Sequence, residues 1–276
     1  MRTSAAINVP LVVFMLLGAG GRLAAAAPGD YCRPFELRGP VKRVLVETQI
    51  DDAAPRQKKS ELLVSRDGRS ATMTSYEADA PAATPIYPTT LFEYGDSGRL
   101  VRQRLRLDGK TDFTVTECVY DTEHRLSVVT MRSLNPQFDG RKISFSYSPT
   151  MQTELFETPV AKNLTTRTLD AAGRVLKEIT IDQLRSFKRD EVEYAYAKDT
   201  VTTCWKNPPP LPDRQCNVVR SNDRGDEVER VGESGSLRTI YVYDAHGNWT
   251  SRRHQMQNNS GSQAFGDITH RTITYW

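Results

Sequence analysis

A seven-residue motif recurs between residues 94 and 249, and its spacing restricts the fold more than any other feature of the chain. The clearest copies are Tyr94-Gly95-Asp96-Ser97-Gly98-Arg99-Leu100 and Tyr120-Asp121-Thr122-Glu123-His124-Arg125-Leu126. Leu169-Asp170-Ala171-Ala172-Gly173-Arg174-Val175 and Tyr243-Asp244-Ala245-His246-Gly247-Asn248-Trp249 follow. Weaker copies start at Tyr147, Tyr196 and Ser221. Successive anchors lie 22 to 27 residues apart. A fixed period of this length marks stacked supersecondary units, none of which can bury its apolar face alone.

Each unit has the chemistry of a β-hairpin. Val192, Tyr194 and Tyr196 alternate with Glu191, Glu193 and Ala195, and Ile143-Phe145-Tyr147 keeps the same period of two. The Asp-x-x-Gly after the anchor is turn chemistry. An Asp carboxylate accepts from amides two residues on, and Gly tolerates positive φ. A second alternating run then leaves the turn, as in Leu100 to Leu105. The chain therefore reads as all-β: antiparallel hairpin repeats forming an elongated or partly closed sheet, with a half-open barrel as the variant. Leu37–Val46 reads as the opening strand and Thr269–Trp276 as the closing one. Ala53–Lys59, Ala78–Pro88 and Gln257–Gly266 read as loops.

Residues 1–27 have the layout of a cleaved secretory signal. Arg2 precedes an apolar run from Val9 to Leu17, and Ala24 to Ala27 supply small residues for cleavage. The apolar run is about half the length a spanning helix needs. Residues 28–276 then form one β-repeat domain, secreted or periplasmic, with no transmembrane segment. The mature part carries 35 basic and 34 acidic side chains, a balance that argues against a nucleic-acid binder. Four cysteines in an exported chain point to disulfides. Cys204 and Cys216 bracket a proline-rich loop, and a bridge there would add roughly 2–4 kcal/mol. Cys32 and Cys118 are then the second pair by elimination.

The motif resembles the YD repeat, also called the Rhs repeat, over residues 92 to 250, most closely in Tyr94–Leu100 and Tyr241–Thr250. The resemblance implies a bacterial surface or secreted protein built of spiralling hairpins, in a family described as carbohydrate-binding or as a toxin carrier. The mature 249 residues are too few for a toxin-enclosing shell, and the Asp-Pro-x-Gly signature before a toxin tip is absent. This chain is thus similar to a small member without a toxin.

Catalytic signatures are sparse. The four histidines show no metal-ligand spacing, and no nucleophile elbow or phosphate-binding loop occurs. Glu191 with Glu193, and Asp226, Glu227 and Glu229, offer carboxylates for a glycosidase pair. On alternating strands such residues more often form a solvated face. The recurrent aromatics are the better lead: Tyr94, Tyr120, Tyr147, Tyr196, Tyr243 and Trp249 are ligand-binding candidates if their ladder faces solvent. The expected function is an exported, non-catalytic binding or scaffold module contacting glycan or cell-envelope material, with no cofactor and no metal. The alternatives are a carbohydrate-active hydrolase and a purely structural envelope protein.

Overall fold

In a computed structural model, the structure describes Cys32 and residues 37–76, 85–206 and 214–276. The expected signal segment lies outside the described residues, as does most of the proline-rich loop between Cys204 and Cys216. No α-helix occurs among the described residues. Eighteen strands follow one another. The first six are β1 (Val41–Gln49), β2 (Gln57–Val64), β3 (Ser70–Tyr76), β4 (Pro85–Tyr94), β5 (Leu100–Arg106) and β6 (Asp112–Tyr120). Then come β7 (Leu126–Ser133), β8 (Arg141–Tyr147), β9 (Met151–Thr158), β10 (Ala161–Leu169), β11 (Val175–Asp182) and β12 (Phe187–Tyr196). The last are β13 (Thr200–Lys206), β14 (Arg214–Ser221), β15 (Glu227–Gly232), β16 (Gly235–Tyr243), β17 (Trp249–Asn258) and β18 (Gln263–Tyr275).

Each strand pairs antiparallel with its predecessor, and β1 pairs with both β2 and β18. The β1–β18 register runs from Val41↔Tyr275 to Gln49↔Ile268. The sheet is therefore a closed up-and-down barrel, and the elongated or partly closed sheet read from the repeat is corrected. Closure satisfies the two edges that an open repeat sheet would leave as templates for aggregation. The expected loops also shrink: β2 begins at Gln57, β17 extends to Asn258 and β18 resumes at Gln263.

Because neighbours alternate in direction, all repeat turns gather at one rim. Their geometry is shared. The fifth motif residue donates its amide to the carbonyl of the second in Gly98→Gly95, His124→Asp121, Gly173→Asp170, Gly225→Asn222 and Gly247→Asp244. The carboxylate of Asp121, Asp170 or Asp244, or the amide oxygen of Asn222, then accepts from two amides of its own turn. The fifth position requires positive φ, which His124 supplies at 62° without being glycine. A further turn of this kind, with Gly68 donating to Ser65, joins β2 to β3. The chain ends close the same rim. Trp276 donates its amide to Pro40, while Asn248 accepts from the Arg38 amide at 2.7 Å and donates to the Arg38 carbonyl at 2.8 Å.

The cross-strand registers sort side chains into two faces. The inner face splits into two arcs. From β1 to β8 it is mainly apolar, with Val44, Val46, Leu62, Met73, Phe92, Val129, Ile143 and Phe145 in one cluster with Cys32 and only Thr90 and Thr116 as buried polar residues among those described. From β9 to β18 many of its buried positions are polar, including Gln152, Arg167, Thr239, Arg252, Thr269 and Arg271. The outer face carries ion pairs instead, such as Glu93–Arg102–Glu117 and Arg220–Glu229. Two disulfides staple the wall. Cys204–Cys216 joins residues directly opposite across β13 and β14, with Cα atoms 4.1 Å apart. Cys32–Cys118 ties Cys32, which precedes β1, to β6.

Candidate functional site

The recurrent tyrosines sit on the inner face at the repeat-turn rim, where each contacts the unit before it. Tyr120 donates its hydroxyl to the Leu100 carbonyl at 2.9 Å, Tyr147 to Leu126 at 2.7 Å, and Tyr196 to Val175 at 2.9 Å. The turn arginine of the preceding unit lies over each ring: Arg99 over Tyr120, Arg125 over Tyr147 and Arg174 over Tyr196, at 5.6, 4.6 and 4.8 Å. Tyr243 has Arg224 over its ring at 4.4 Å and donates to Asp226 at 2.7 Å. Tyr94 packs against the apolar cluster, and burial pushes its phenol up to about 12. In Tyr120, Tyr147, Tyr196 and Tyr243 hydroxyl and ring face are thus engaged within the wall, a lock between units that explains why these tyrosines recur.

Sequence reasoning missed half of this lock. The sixth motif residue, to which the sequence reading assigned no role, is the stacking arginine at 99, 125 and 174. Tyr275 closes the ring by donating to Asp244, yet no following turn marks it as a motif anchor. Its partner Asn248, which donates to the Tyr275 hydroxyl at 2.7 Å, is buried by the incoming residues at 37–40.

The carboxylates considered for a glycosidase pair are each engaged by a basic or hydroxyl partner. Glu191 and Glu193 face outward, and Glu191 is held by Lys177, Lys188 and Lys206. Hydrogen bonds from these ammonium groups keep the Glu191 carboxyl far below its ordinary range. Asp226 lies on the inner side as the acceptor of Tyr243, Glu227 chelates Arg230 at 2.9 and 2.8 Å, and Glu229 pairs with Arg220 on the outside. A hydrogen bond from Lys206 likewise lowers the Glu193 carboxyl below its ordinary range.

The histidines are likewise spread. His246 stacks on Tyr275 at 4.1 Å, His254 Nδ1 lies 3.1 Å from the Thr239 hydroxyl, and His270 meets Gln49 at 2.9 Å. Among the described residues no group of three His, Cys, Asp or Glu side chains is placed to hold a metal ion.

Trp249 is different from the tyrosines. It is buried on the inner face with the Arg271 guanidinium 3.4 Å and the Arg252 guanidinium 5.0 Å from its ring, and Tyr241 edge-on at 6.4 Å. Arg252 is opposite Tyr241 and Thr269, and Arg271 is opposite Val46, so both arginines share the inner face at the meeting of the two arcs. Neither makes an ion pair with any described carboxylate, and the Nε atom of each is buried without a hydrogen-bond partner. Burial, reinforced by Arg252 beside it, lowers Arg271 to about 9. On the outer face a groove of about 420 Å³ runs beneath Asp52 and Arg56, floored by Ile240, Val242 and Ile268. The Arg253–Asp52 ion pair, at 3.0 Å, spans it.

No family model and no curated protein matches this chain. Among solved structures it is similar to a porin-like protein from Bacteroides uniformis, at 14% identity over 86% of this chain and 98% of that one, with a TM-score of 0.47. It is also similar to the Tc holotoxin pore of Photorhabdus luminescens, at 12% identity over 80% of this chain, with a TM-score of 0.35. A complex of TcdB2 with TccC3 aligns at 10% identity over 75% of this chain, with a TM-score of 0.33. In both toxin structures the chain spans 15% of the length of its match.

Proposed function

We propose that this protein is an exported, water-soluble, non-catalytic scaffold whose inner face holds glycan or cell-envelope material. The observation that supports this reading is the distribution of charge across the wall. A barrel that meets lipid presents an apolar band outward and polar groups inward. Here outward strand positions carry cross-strand ion pairs on β4–β7, β11–β14 and β14–β15, such as Arg132–Glu117 and Lys206–Glu193. Placing such charges against hydrocarbon costs about 2–4 kcal/mol for each Arg or Lys near the midplane. The two disulfides fit an oxidising compartment. The inner face holds a patch around Trp249 that the tyrosine locks leave unused.

The test expresses residues 28–276 in a periplasm and fractionates the cells. The expected result is protein in the soluble fraction without detergent, retained on immobilised envelope polysaccharide with no release of reducing sugar. Recovery only from outer membranes with detergent would overturn the soluble reading. Sugar release without retention would favour a hydrolase, and the absence of both would favour a purely structural role.

A further inference from the structure

We propose that Arg252 and Arg271, flanking Trp249 on the inner face, form an oxyanion-binding site that takes a carboxylate or phosphate group of the ligand. This inference rests on the binding reading above and names its chemistry. Both arginines are more than nine-tenths buried, at 8% and 9% exposure. A buried guanidinium without a counter-charge is among the most costly arrangements in a fold. Stacking on Trp249 offsets part of that cost.

The nearest acid does not complete the pairing. Asp226 attracts Arg271, but its carboxylate accepts the Tyr243 hydroxyl and makes no ion pair with either arginine. Glu227 is bound by Arg230, and burial and Arg252 lower the pKa of His254, which follows on the same inner face. Two cations therefore face the same ring while each nearby anion is committed elsewhere. Elsewhere on the same face the fold surrounds a buried arginine fully: Arg167 binds Glu154 at 3.0 Å and Glu178 at 2.6 Å. An oxyanion accepting from both guanidiniums would supply at Arg252 and Arg271 what those two glutamates supply at Arg167. The indole between them positions the planar donors, and it would flank a sugar that carries the anion.

The probes are inorganic phosphate, galacturonate and, as the neutral control, galactose. Each is titrated into the mature protein by calorimetry, with the melting temperature recorded in parallel at constant ionic strength. We expect phosphate, galacturonate or both to bind and raise the melting temperature, with galactose inactive. R252M and R271M should each weaken the anion at least tenfold while keeping the barrel's circular dichroism. R238Q, on the outer face, should bind as the parent does. Phosphate alone would point to a phosphorylated envelope polymer, and galacturonate alone to an acidic polysaccharide. No binding by the parent, or binding unchanged in both methionine variants, would overturn the site. Anion binding without retention on envelope polysaccharide would leave the site standing and refute the glycan reading instead.

Discussion

Arg167 and Arg271 lie on the same inner face and are buried to similar depth, at 6% and 9% exposure, yet their surroundings are opposite. Arg167 is clamped between glutamates on β9 and β11, and their charges raise its pKa despite burial. Arg271 stacks on an indole beside a second arginine, and its pKa falls. The first is a closed electrostatic unit that the fold needs. The second is an unbalanced cation whose cost the isolated chain bears. A charge satisfied by its own fold reports on architecture, and one left unsatisfied reports on what the fold meets.

The largest effect expected from this contrast follows Arg167→Met. It leaves Glu154 and Glu178 buried together and should cost about 3–5 kcal/mol in urea unfolding. Arg271→Met removes an unpaired cation and should change stability by less than about 1 kcal/mol. Equal losses in the two variants would break the comparison.

The tyrosine locks offer a smaller version of it. Tyr243→Phe takes the phenolic donor from buried Asp226 and should cost about 2 kcal/mol, because the acceptor is charged. Tyr196→Phe loses a bond to the neutral Val175 carbonyl and should cost about 1 kcal/mol. Thermal unfolding of both variants would show whether the lock differs between the two regions.

A pH-dependent effect concerns the outer face. Lys58 donates to Glu61, with Tyr76 and Arg43 adding bonds, and together they lower its carboxyl from 4.5 to about 2. The folded value is depressed, so this contribution is complete above pH 4.5 and is lost as the pH falls toward 2. Glu61→Gln should flatten that part of the stability profile, and the inner Arg167 cluster should be untouched by the change. The smallest effect belongs to the rim. His124→Gly relieves a left-handed residue in a glycine position and should stabilise by about 0.5–1 kcal/mol. The gain, measured by chemical denaturation, should be the same in the parent and in R271M, since the turn is far in sequence from β17 and β18.

Much of the local structure was legible in the residues. Asp170 and Gly173 announced their turn because the Asp side chain and the positive φ of Gly act within four residues. The Cys204–Cys216 pair stood out because both residues bracket one hairpin. Other parts were hidden. The Ser65–Arg69 turn lacks an aromatic anchor, and His124 occupies a glycine position. The tyrosines recurred at the right places, but sequence spacing carries no information on what a ring touches. Their partners come from the adjacent unit some 20 residues away.

The hairpin unit, its period and its turn chemistry are written in the residues themselves, since alternation and turn residues act over a few positions. Closure of the sheet emerges only in the folded chain. Closure depends on strand stagger and on one pairing between residues more than 200 positions apart, β1 with β18, which no local pattern encodes. The same closure decided which face became the interior. It brought Arg271 of the last strand beside Val46 of the first, and set Arg252 and Arg271 around Trp249 with no described acid paired to them.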